Sequence, residues 1–116
     1  MPGTISSGGN ILYSWVMMPY YTPVSVAANT TAEQSFSLPG AQLGDFVDVY
    51  FFGSTYAGST QTAGIGIVNN RISGPGVLQV GFANTTAGAL TPNAGYYYVC
   101  LSRPEVPVSL LPTTAA

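Results

Sequence analysis

The apolar residues of this chain recur at every second position, and no stretch of ten or more residues shows the 3.6-residue period of an amphipathic helix. The segment VLQVGFAN, residues 77–84, alternates the apolar Leu78, Val80 and Phe82 with small or polar residues. Successive side chains of a strand point to opposite faces of its sheet, so a period of two is typical of half-buried strands. The chain is therefore predicted to be all-β.

Seven or eight short strands are expected, separated by Gly, Pro and Asn. The predicted strands are residues 11–18, 24–28, 34–38, 44–52, 65–73, 77–84 and 96–102. Pro39-Gly40 favours a turn, because proline fixes φ and glycine permits a positive φ, and Gly74-Pro75-Gly76 predicts a sharp break between two strands. Short strands without a helical crossover indicate an antiparallel β-sandwich, jelly-roll-like, rather than a parallel sheet.

The same alternation predicts which side chains face one another between the two sheets. The predicted core consists of Phe36, Leu38, Val47, Val49, Phe51, Leu78, Val80, Phe82, Val99 and Leu101. A chain of 116 residues with 47% hydrophobic content is long enough to fill one such core, so one domain is expected.

The predicted β-sandwich domain spans residues 11–103 and is flanked by two arms. Residues 1–10, MPGTISSGGN, form a small polar arm, and residues 104–116 carry three prolines that keep an apolar segment extended. An extended apolar arm favours a partner surface, although such an end can also simply fray. The candidate interface residues are Arg103, Val106, Val108, Leu110 and Leu111.

Charged residues make up only 5% of the chain, which has two arginines, four carboxylates, no lysine and no histidine. The solvated surface must therefore be built from Ser, Thr, Asn and Gln, and it repels neighbouring molecules weakly. This favours a chain that works inside an assembly, the alternative being a compositionally biased but ordinary domain. Two cations are too few for nucleic acid, which needs several on one face. Arg71 is expected in a surface ion pair, and Arg103 in such a pair or anchoring a tail or a neighbouring subunit.

No secretory signal is visible at the N-terminus, and the apolar runs are far shorter than the ~18 residues needed to span a bilayer. The chain is expected to be intracellular and soluble, without membrane partners.

The pentapeptide ANTTA occurs twice, at Ala28–Ala32 and at Ala83–Ala87. Each copy contains an Asn-X-Thr triplet, so the two could be glycan acceptors, a duplicated ligand loop or turns. Glycosylation is not expected without export. Asn tolerates the left-handed conformation and its side chain can close a turn on the backbone two residues on, so turns are preferred and a ligand loop is the alternative.

Catalytic chemistry finds little support. Without histidine, Cys100 has no visible base and is expected to be an inert packed thiol, and a single cysteine excludes an intrachain disulfide or an ordinary zinc site. Asp45 and Asp48 should point to opposite faces, with Asp45 serving as a turn residue. The segment GIGIVN lacks the third glycine of a dinucleotide fingerprint, so Gly64 and Gly66 are expected to allow a bulge or a close approach. The prediction is a protein without enzymatic activity, cofactor or metal.

Three segments together resemble a known group of proteins: VSVAANTTAEQSFSLPGAQLGDFVDV, GIGIVNNRIS and LQVGFANTTAGALTPNAGYYYV. Over roughly Val24 to Leu101 the chain resembles the head decoration or cement proteins of tailed bacteriophages, which have a jelly-roll-like β-sandwich. The resemblance implies a virion structural protein, made in the host cytoplasm, that binds the outer surface of the capsid and bridges its subunits. The implied partners are the major capsid protein and the chain itself, as a dimer or trimer.

Two alternatives remain beside this expectation. One is a tail or fibre component of a virion. The other is a carbohydrate-binding module whose stacking platforms would be Trp15, Tyr20, Tyr21, Tyr96, Tyr97 and Tyr98. Aromatic rings gathered on one exposed sheet face would favour the carbohydrate-binding module, whereas rings packed between the sheets would not.

Overall fold

The computed structural model describes residues 10–114 and confirms the prediction of an all-β fold in which two antiparallel sheets pack as a sandwich. The strands are β1 (Ile11–Met17), β2 (Tyr20–Tyr21), β3 (Thr30–Ser37), β4 (Phe46–Gly53), β5 (Ile65–Gly74), β6 (Val77–Asn84) and β7 (Gly95–Pro104). One short 3-10 helix, Val108–Leu110, follows β7. The jelly-roll connectivity stays a prediction.

The first sheet is built around β7, which pairs with β4 on one side and with β1 and β2 on the other. Met17 lies opposite Val99 in the β1 pairing, and beyond it the Pro19 carbonyl accepts a hydrogen bond from the Tyr97 backbone N–H at 3.0 Å. β2 continues in the same register. β1 and β2 are therefore one edge strand, interrupted at Met18-Pro19.

The second sheet has β6 at its centre, between β3 and β5. β5 and β6 form a hairpin that turns at Pro75-Gly76, as the Gly-Pro-Gly sequence predicted. The turn predicted at Pro39-Gly40 is also present: the Ala41 N–H donates to the Leu38 carbonyl at 3.1 Å, and Gly40 has φ +93°. The positive φ at the third turn residue is the reason that glycine stands there.

The predicted core is confirmed. Seven of its members are buried, namely Leu38, Val49, Leu78, Val80, Phe82, Val99 and Leu101, and the other three, Phe36, Val47 and Phe51, are half-buried against them. Tyr21, Val26 and Tyr97 complete the centre of the core. The Tyr97 ring meets the Phe51 ring edge-on at 5.0 Å and lies 5.9 Å from the Tyr21 ring. These aromatic contacts connect β7 with the strands on both of its sides, β4 and β2.

The strand predicted at residues 24–28 is wrong. Val26 forms only an isolated bridge with Leu90, with backbone bonds of 2.7 and 3.1 Å. Val24 is instead bound by the Gln34 side chain, whose Oε1 accepts from the Val24 N–H and whose Nε2 donates to the Val24 carbonyl, both at 2.8 Å. A side-chain amide therefore takes the place of a neighbouring strand, and alternation alone does not reveal this.

Of the two predicted arms, the structure describes only the C-terminal one, residues 104–114. The N-terminal arm, residues 1–10, lies outside the described residues except for Asn10. The C-terminal segment is not extended throughout, because the 3-10 helix interrupts it and the chain folds back on the loop before β4. The Glu105 N–H donates to the Asn10 carbonyl at 2.7 Å, and a Cβ placed on Gly44 would lie 3.0 Å from a methyl of Val108.

Between residues 10 and 114, no helix combines the length and the apolar character that crossing a bilayer requires.

Replacing a core phenylalanine should be costly, and an exposed phenylalanine provides the control. Phe82 is 0% exposed and Phe46 is 72% exposed. We expect Phe82→Ala to lower the free energy of unfolding by about 3–5 kcal/mol, because it removes buried contacts and leaves a cavity. Phe46→Ala should cost less than about 1 kcal/mol. Denaturant unfolding measures both, and equal losses would contradict the assignment of the inner face.

Candidate functional site

The outer face of the second sheet is polar, and its side chains bind one another. Ser35 Oγ donates to Gln79 Oε1 at 3.0 Å, and Gln79 Nε2 donates to Ser73 Oγ at 3.1 Å. Arg71 on β5 reaches across β6 to Glu33 on β3 with two bonds of 2.8 Å. This is the surface ion pair predicted for Arg71. Its side chains are 55% and 33% exposed, so solvent screens the pair and it contributes little to the stability of the fold.

The outer face of the first sheet is of the opposite character. Tyr97, Val99 and Leu101 of β7 are buried between the sheets, so the alternate residues of β7 point away from the core. The pairing places Tyr20 beside Tyr96 and Tyr50 beside Tyr98. Three strands therefore carry aromatic side chains to the same end of one outer face.

We call this surface the aromatic face, and it consists of Tyr20, Tyr50, Phe52, Tyr56, Tyr96 and Tyr98. Tyr50 is 60% exposed and Tyr56 is 71% exposed. The Tyr56 and Tyr96 rings stack with centroids 4.5 Å apart, and Tyr20 meets Tyr96 edge-on at 5.2 Å. Phe52 meets Tyr98 edge-on at 5.4 Å. Mutual ring contacts thus order a surface that no other part of residues 10–114 covers.

The aromatic face has polar atoms in its hydroxyl groups but almost no charge. A hydrogen bond with Tyr56 raises the pKa of Tyr96 above its ordinary value, so the Tyr96 hydroxyl stays neutral at physiological pH. Asp48 is the one charged residue that β4, β7 and β1 turn to this side. Beside it, Cys100 is free and half-buried. The face is therefore suited to apolar burial and neutral hydrogen bonding.

The six aromatic residues proposed as sugar platforms are divided between the two sides of the first sheet. Tyr20, Tyr96 and Tyr98 belong to the aromatic face, whereas Tyr21 and Tyr97 are buried in the core. Burial raises the pKa of Tyr21 to about 12. Sequence reasoning missed Tyr50, Phe52 and Tyr56. The alternation along β4 already indicated that Tyr50 points away from the core, because it follows the core residue Val49 in the strand. This could have identified Tyr50 as a residue of the outer face.

Trp15 lies elsewhere, in a cluster around Arg103. The Arg103 guanidinium donates to both carboxylate oxygens of Asp45, at 2.9 and 2.8 Å, and to the Gly40 carbonyl at 2.8 Å. Its central carbon lies 5.8 Å from the Tyr13 ring centroid and 5.1 Å from that of Trp15. The cluster therefore ties β7, β1 and the loop before β4 together.

The Asp45–Arg103 pair is much less exposed than the pair on the second sheet, with side chains 2% and 18% exposed. The bond from Arg103 lowers the pKa of Asp45, and the Gln42 N–H, which donates to the same carboxylate at 2.8 Å, lowers it further. Asp45 also closes a turn through its own N–H and the Gln42 carbonyl, at 3.0 Å, as predicted for a turn residue. Asp48 lies on the other side of the sheet, so the two carboxylates do not form a pair.

The predicted interface residues lie at one end of the sandwich. Arg103 is bonded within its own chain, whereas Val108 and Leu110 are 57% and 68% exposed. Val106 and Leu111 are half-buried, and Leu111 lines a groove with Phe46 and Val108. Their role at an interface stays a prediction.

The two ANTTA copies are neighbours in space, which their separation in sequence did not reveal. Thr30 of the first copy pairs with Asn84 of the second, and Thr31 pairs with Ala83. The Asn29 N–H donates to the Thr86 carbonyl at 3.0 Å. Each copy joins a turn to one end of the β3–β6 ladder: Ala28-Asn29 turns into β3, and the Asn84 side chain closes a turn on Thr86 after β6, so the preferred interpretation holds for part of each copy.

The two asparagines of the repeat work differently. Asn29 is exposed and has φ +53°, the left-handed conformation that asparagine tolerates. Asn84 is 2% exposed, and its Oδ1 accepts from the N–H of Thr86 at 2.9 Å, closing the turn two residues on. Its Nδ2 donates to the carbonyls of Val26 and Gly88, at 3.0 and 2.9 Å. Asn84 is thus the internal connector between three segments.

Gly64 lies against the second copy, where a Cβ would come 2.4 Å from a Thr86 methyl and φ is +88°. The expected alternatives were a bulge or a close approach between backbones, and the atoms that crowd the Cβ position of Gly64 belong to side chains instead. Gly66 has open space at its Cβ position, and the nearest register shift of β5 lies just after it, between Ile67 and Asn69.

A groove of about 410 Å³ runs between the edges of β4 and β5, lined among others by Asp48, Gln61 and Asn70. The Asn70 Oδ1 is buried there and has no hydrogen-bond partner. Within residues 10–114, no three His, Cys, Asp or Glu side chains come together as a metal site. No protein-family model, curated protein or solved structure matches the chain.

Acid should weaken the fold through Asp45. Because the folded-state pKa of Asp45 is below its unfolded value, its stabilisation is complete above the unfolded pKa and is lost as pH falls through the folded pKa. We expect the melting temperature to change little from neutral pH to about pH 5 and to fall below about pH 4. Asp45→Asn should flatten this acid dependence and lower stability at neutral pH, because Arg103 loses its carboxylate partner. An unchanged acid slope in Asp45→Asn would contradict this account.

The two repeat asparagines should differ sharply on substitution. Asn84→Ala removes the buried bonds to Val26, Thr86 and Gly88, so we expect a loss of about 2 kcal/mol or more. Asn29→Gly should change stability by less than about 0.5 kcal/mol, because glycine adopts a positive φ freely. Thermal unfolding of the two variants tests this, and equal effects would show that the copies are structurally equivalent.

Proposed function

We propose that this chain is a structural protein of a virus particle, a decoration or cement protein that attaches to the outer surface of a tailed-phage head through its aromatic face. The partner is the major capsid protein, and no catalytic step is involved. The resemblance described above supplies the class of partner. The exposed aromatic face, on the side of the first sheet away from the core, is the observation that carries the proposal.

The physical case rests on the contrast between the two outer faces. Polar side chains on the second sheet satisfy one another, as in the Arg71–Glu33 pair and the Ser35–Gln79 bond. The aromatic face instead presents large rings, and contiguous exposed apolar surface of this kind is typical of an interaction site. Tyrosine is favoured at such sites because it provides contact area with little loss of side-chain entropy.

Attachment would stabilise the head by mass action. A protein that binds only the assembled shell, and not its dissociated subunits, shifts the equilibrium toward the shell by an amount set by its concentration and affinity. No active site is needed for this, and a contact that spans two capsid subunits would link them directly.

Truncation of the aromatic face should release the protein from particles. We expect Tyr50→Ser combined with Tyr98→Ser to weaken binding to phage heads lacking this protein by at least about tenfold, because these exposed rings would be buried on attachment. The matched control is Ser35→Ala with Gln79→Ala on the opposite outer face, which should bind as the wild type does. Co-sedimentation with the heads measures the bound fraction.

Salt provides an independent check on the same interface. Raising the ionic strength from about 0.05 to about 0.5 M shortens the Debye length from roughly 14 to roughly 4 Å, which weakens contacts held by charge. With Asp48 the one charge on the face, binding should persist across this series. Release by moderate salt, or equal binding of the tyrosine variant and its control, would overturn the proposal.

A carbohydrate-binding module is the second candidate, because Tyr20, Tyr96 and Tyr98 do lie on one exposed face. Aromatic rings with adjacent hydroxyl groups are also the usual components of a sugar site. Titration of soluble polysaccharides against tyrosine fluorescence distinguishes the two functions. Saturable binding that Tyr98→Ser abolishes, without binding to heads, would favour the carbohydrate-binding module over the virion protein.

A further inference from the structure

The first sheet ends at β1, and within residues 10–114 no other strand pairs with the outer edge of β1. The Pro19 carbonyl accepts from the Tyr97 N–H, and the register continues unbroken from Tyr13 to Tyr21. In an antiparallel ladder, alternate residues turn both backbone groups toward the partner strand. The odd-numbered residues Trp15 and Met17 therefore face β7, and the N–H and C=O groups of Ser14 and Val16 point away from the sheet.

The side chains of β1 are apolar on both of its faces. Leu12 and Val16 are 51% and 67% exposed, and Tyr13 and Trp15 are 47% and 38% exposed. The strand contains no charged residue, and the first charge in the whole chain is Glu33. Natural edge strands are usually protected by charges, prolines or covering segments, because free backbone groups invite pairing with another chain. Between Ile11 and Met17, β1 has no charge and no proline, and no segment of residues 10–114 pairs with its outer edge.

The other three edge strands each carry a charged side chain, which distinguishes them from β1 as places for a second copy of the chain to pair. β3 contains Glu33, β4 contains Asp48 and β5 contains Arg71. Self-pairing of these three strands would draw a charged side chain into the contact from each copy, which costs solvation free energy. Among the edge strands of residues 10–114, β1 alone carries no charged side chain.

We propose that the chain forms a two-fold symmetric dimer in which β1 of one copy pairs antiparallel with β1 of a second copy. Full overlap of the seven residues Ile11–Met17 places the axis at Ser14. Leu12 then lies opposite Val16 of the second copy, Tyr13 opposite Trp15, and Ser14 opposite Ser14. Each pairing joins side chains of the same chemical character.

Arg103 orders two aromatic side chains of this edge before association. Its guanidinium lies against the rings of Tyr13 and Trp15, which are themselves 4.5 Å apart, so both aromatic side chains are ordered before a second copy arrives. Little rotamer freedom is then lost on association. A seven-residue edge provides a small interface, so we expect a dissociation constant in the micromolar range. The dimer goes beyond attachment to a capsid and does not depend on it.

Proline at position 16 tests the backbone ladder directly. Because the Val16 N–H points away from β7, Val16→Pro leaves the β1–β7 ladder intact but removes a donor to the second copy and places a ring in its way. Val16→Ala is the control, since it shortens the side chain and keeps the N–H. In sedimentation equilibrium of the full chain, we expect wild type and Val16→Ala to dimerise and Val16→Pro to dissociate at least about tenfold more readily.

Charge at the axis tests the register without altering the backbone. Ser14→Lys and Ser14→Glu should each be monomeric, because the symmetric pairing places two like charges opposite each other, and a mixture of the two should dimerise again. Circular dichroism and melting temperature check that each variant folds, and the charge pair remains decisive if Val16→Pro does not. A monomeric wild type, or a mixture that stays monomeric, would overturn the proposal. Since no capsid is present, neither result bears on head binding.

Discussion

The central strand β7 has two faces, and only one of them can be covered by the second sheet. Its alternation places Tyr97, Val99 and Leu101 in the core and turns Tyr96 and Tyr98 outward. Most antiparallel sheets respond to this constraint with a polar outer side, as the second sheet does here. The first sheet keeps aromatic side chains on both sides of the same strand. The fold therefore leaves an aromatic surface that the rest of residues 10–114 does not cover.

Because charged residues are few, two ion pairs provide the main electrostatic contacts of the described residues. Arg103 and Arg71 are the only cations of the sequence, and each is neutralised within the chain, by Asp45 and Glu33 respectively. The two pairs differ in consequence, because the first is mostly buried and orders Trp15, whereas the second is solvated. Both arginines are thus already paired, so contact of the aromatic face with another molecule would depend mainly on apolar burial and neutral hydrogen bonds.

The alternation of apolar and polar residues along single strands predicted the fold and the core. Whether a side chain points to one face of a sheet or the other follows from its position in its own strand, so no knowledge of the neighbouring strands is needed. The predicted limits of β6, residues 77–84, agree with the structure for the same reason. The features that the sequence did not predict are contacts between residues far apart in the chain. That Arg103 selects Asp45, 58 residues away, and that the two ANTTA copies meet, depend on which strands lie side by side. For the same reason the aromatic face was predicted only in part: Tyr20 and Tyr98 were candidate stacking platforms, whereas Tyr50, which lies beside Tyr98 on a third strand, was not.

The open edge and the aromatic face belong to the same sheet, which gives them a joint consequence. An antiparallel pair of β1 strands has its two-fold axis normal to the sheet, so both copies turn their outer faces to the same side. A surface with repeated binding positions would then meet two aromatic faces at once. The second contact forms at the high effective concentration set by the first, so avidity can exceed the affinity of a single face by about 10² or more if both positions are within reach. A chain with so few charges gains from this arrangement, because two modest apolar contacts can replace one strong electrostatic interface.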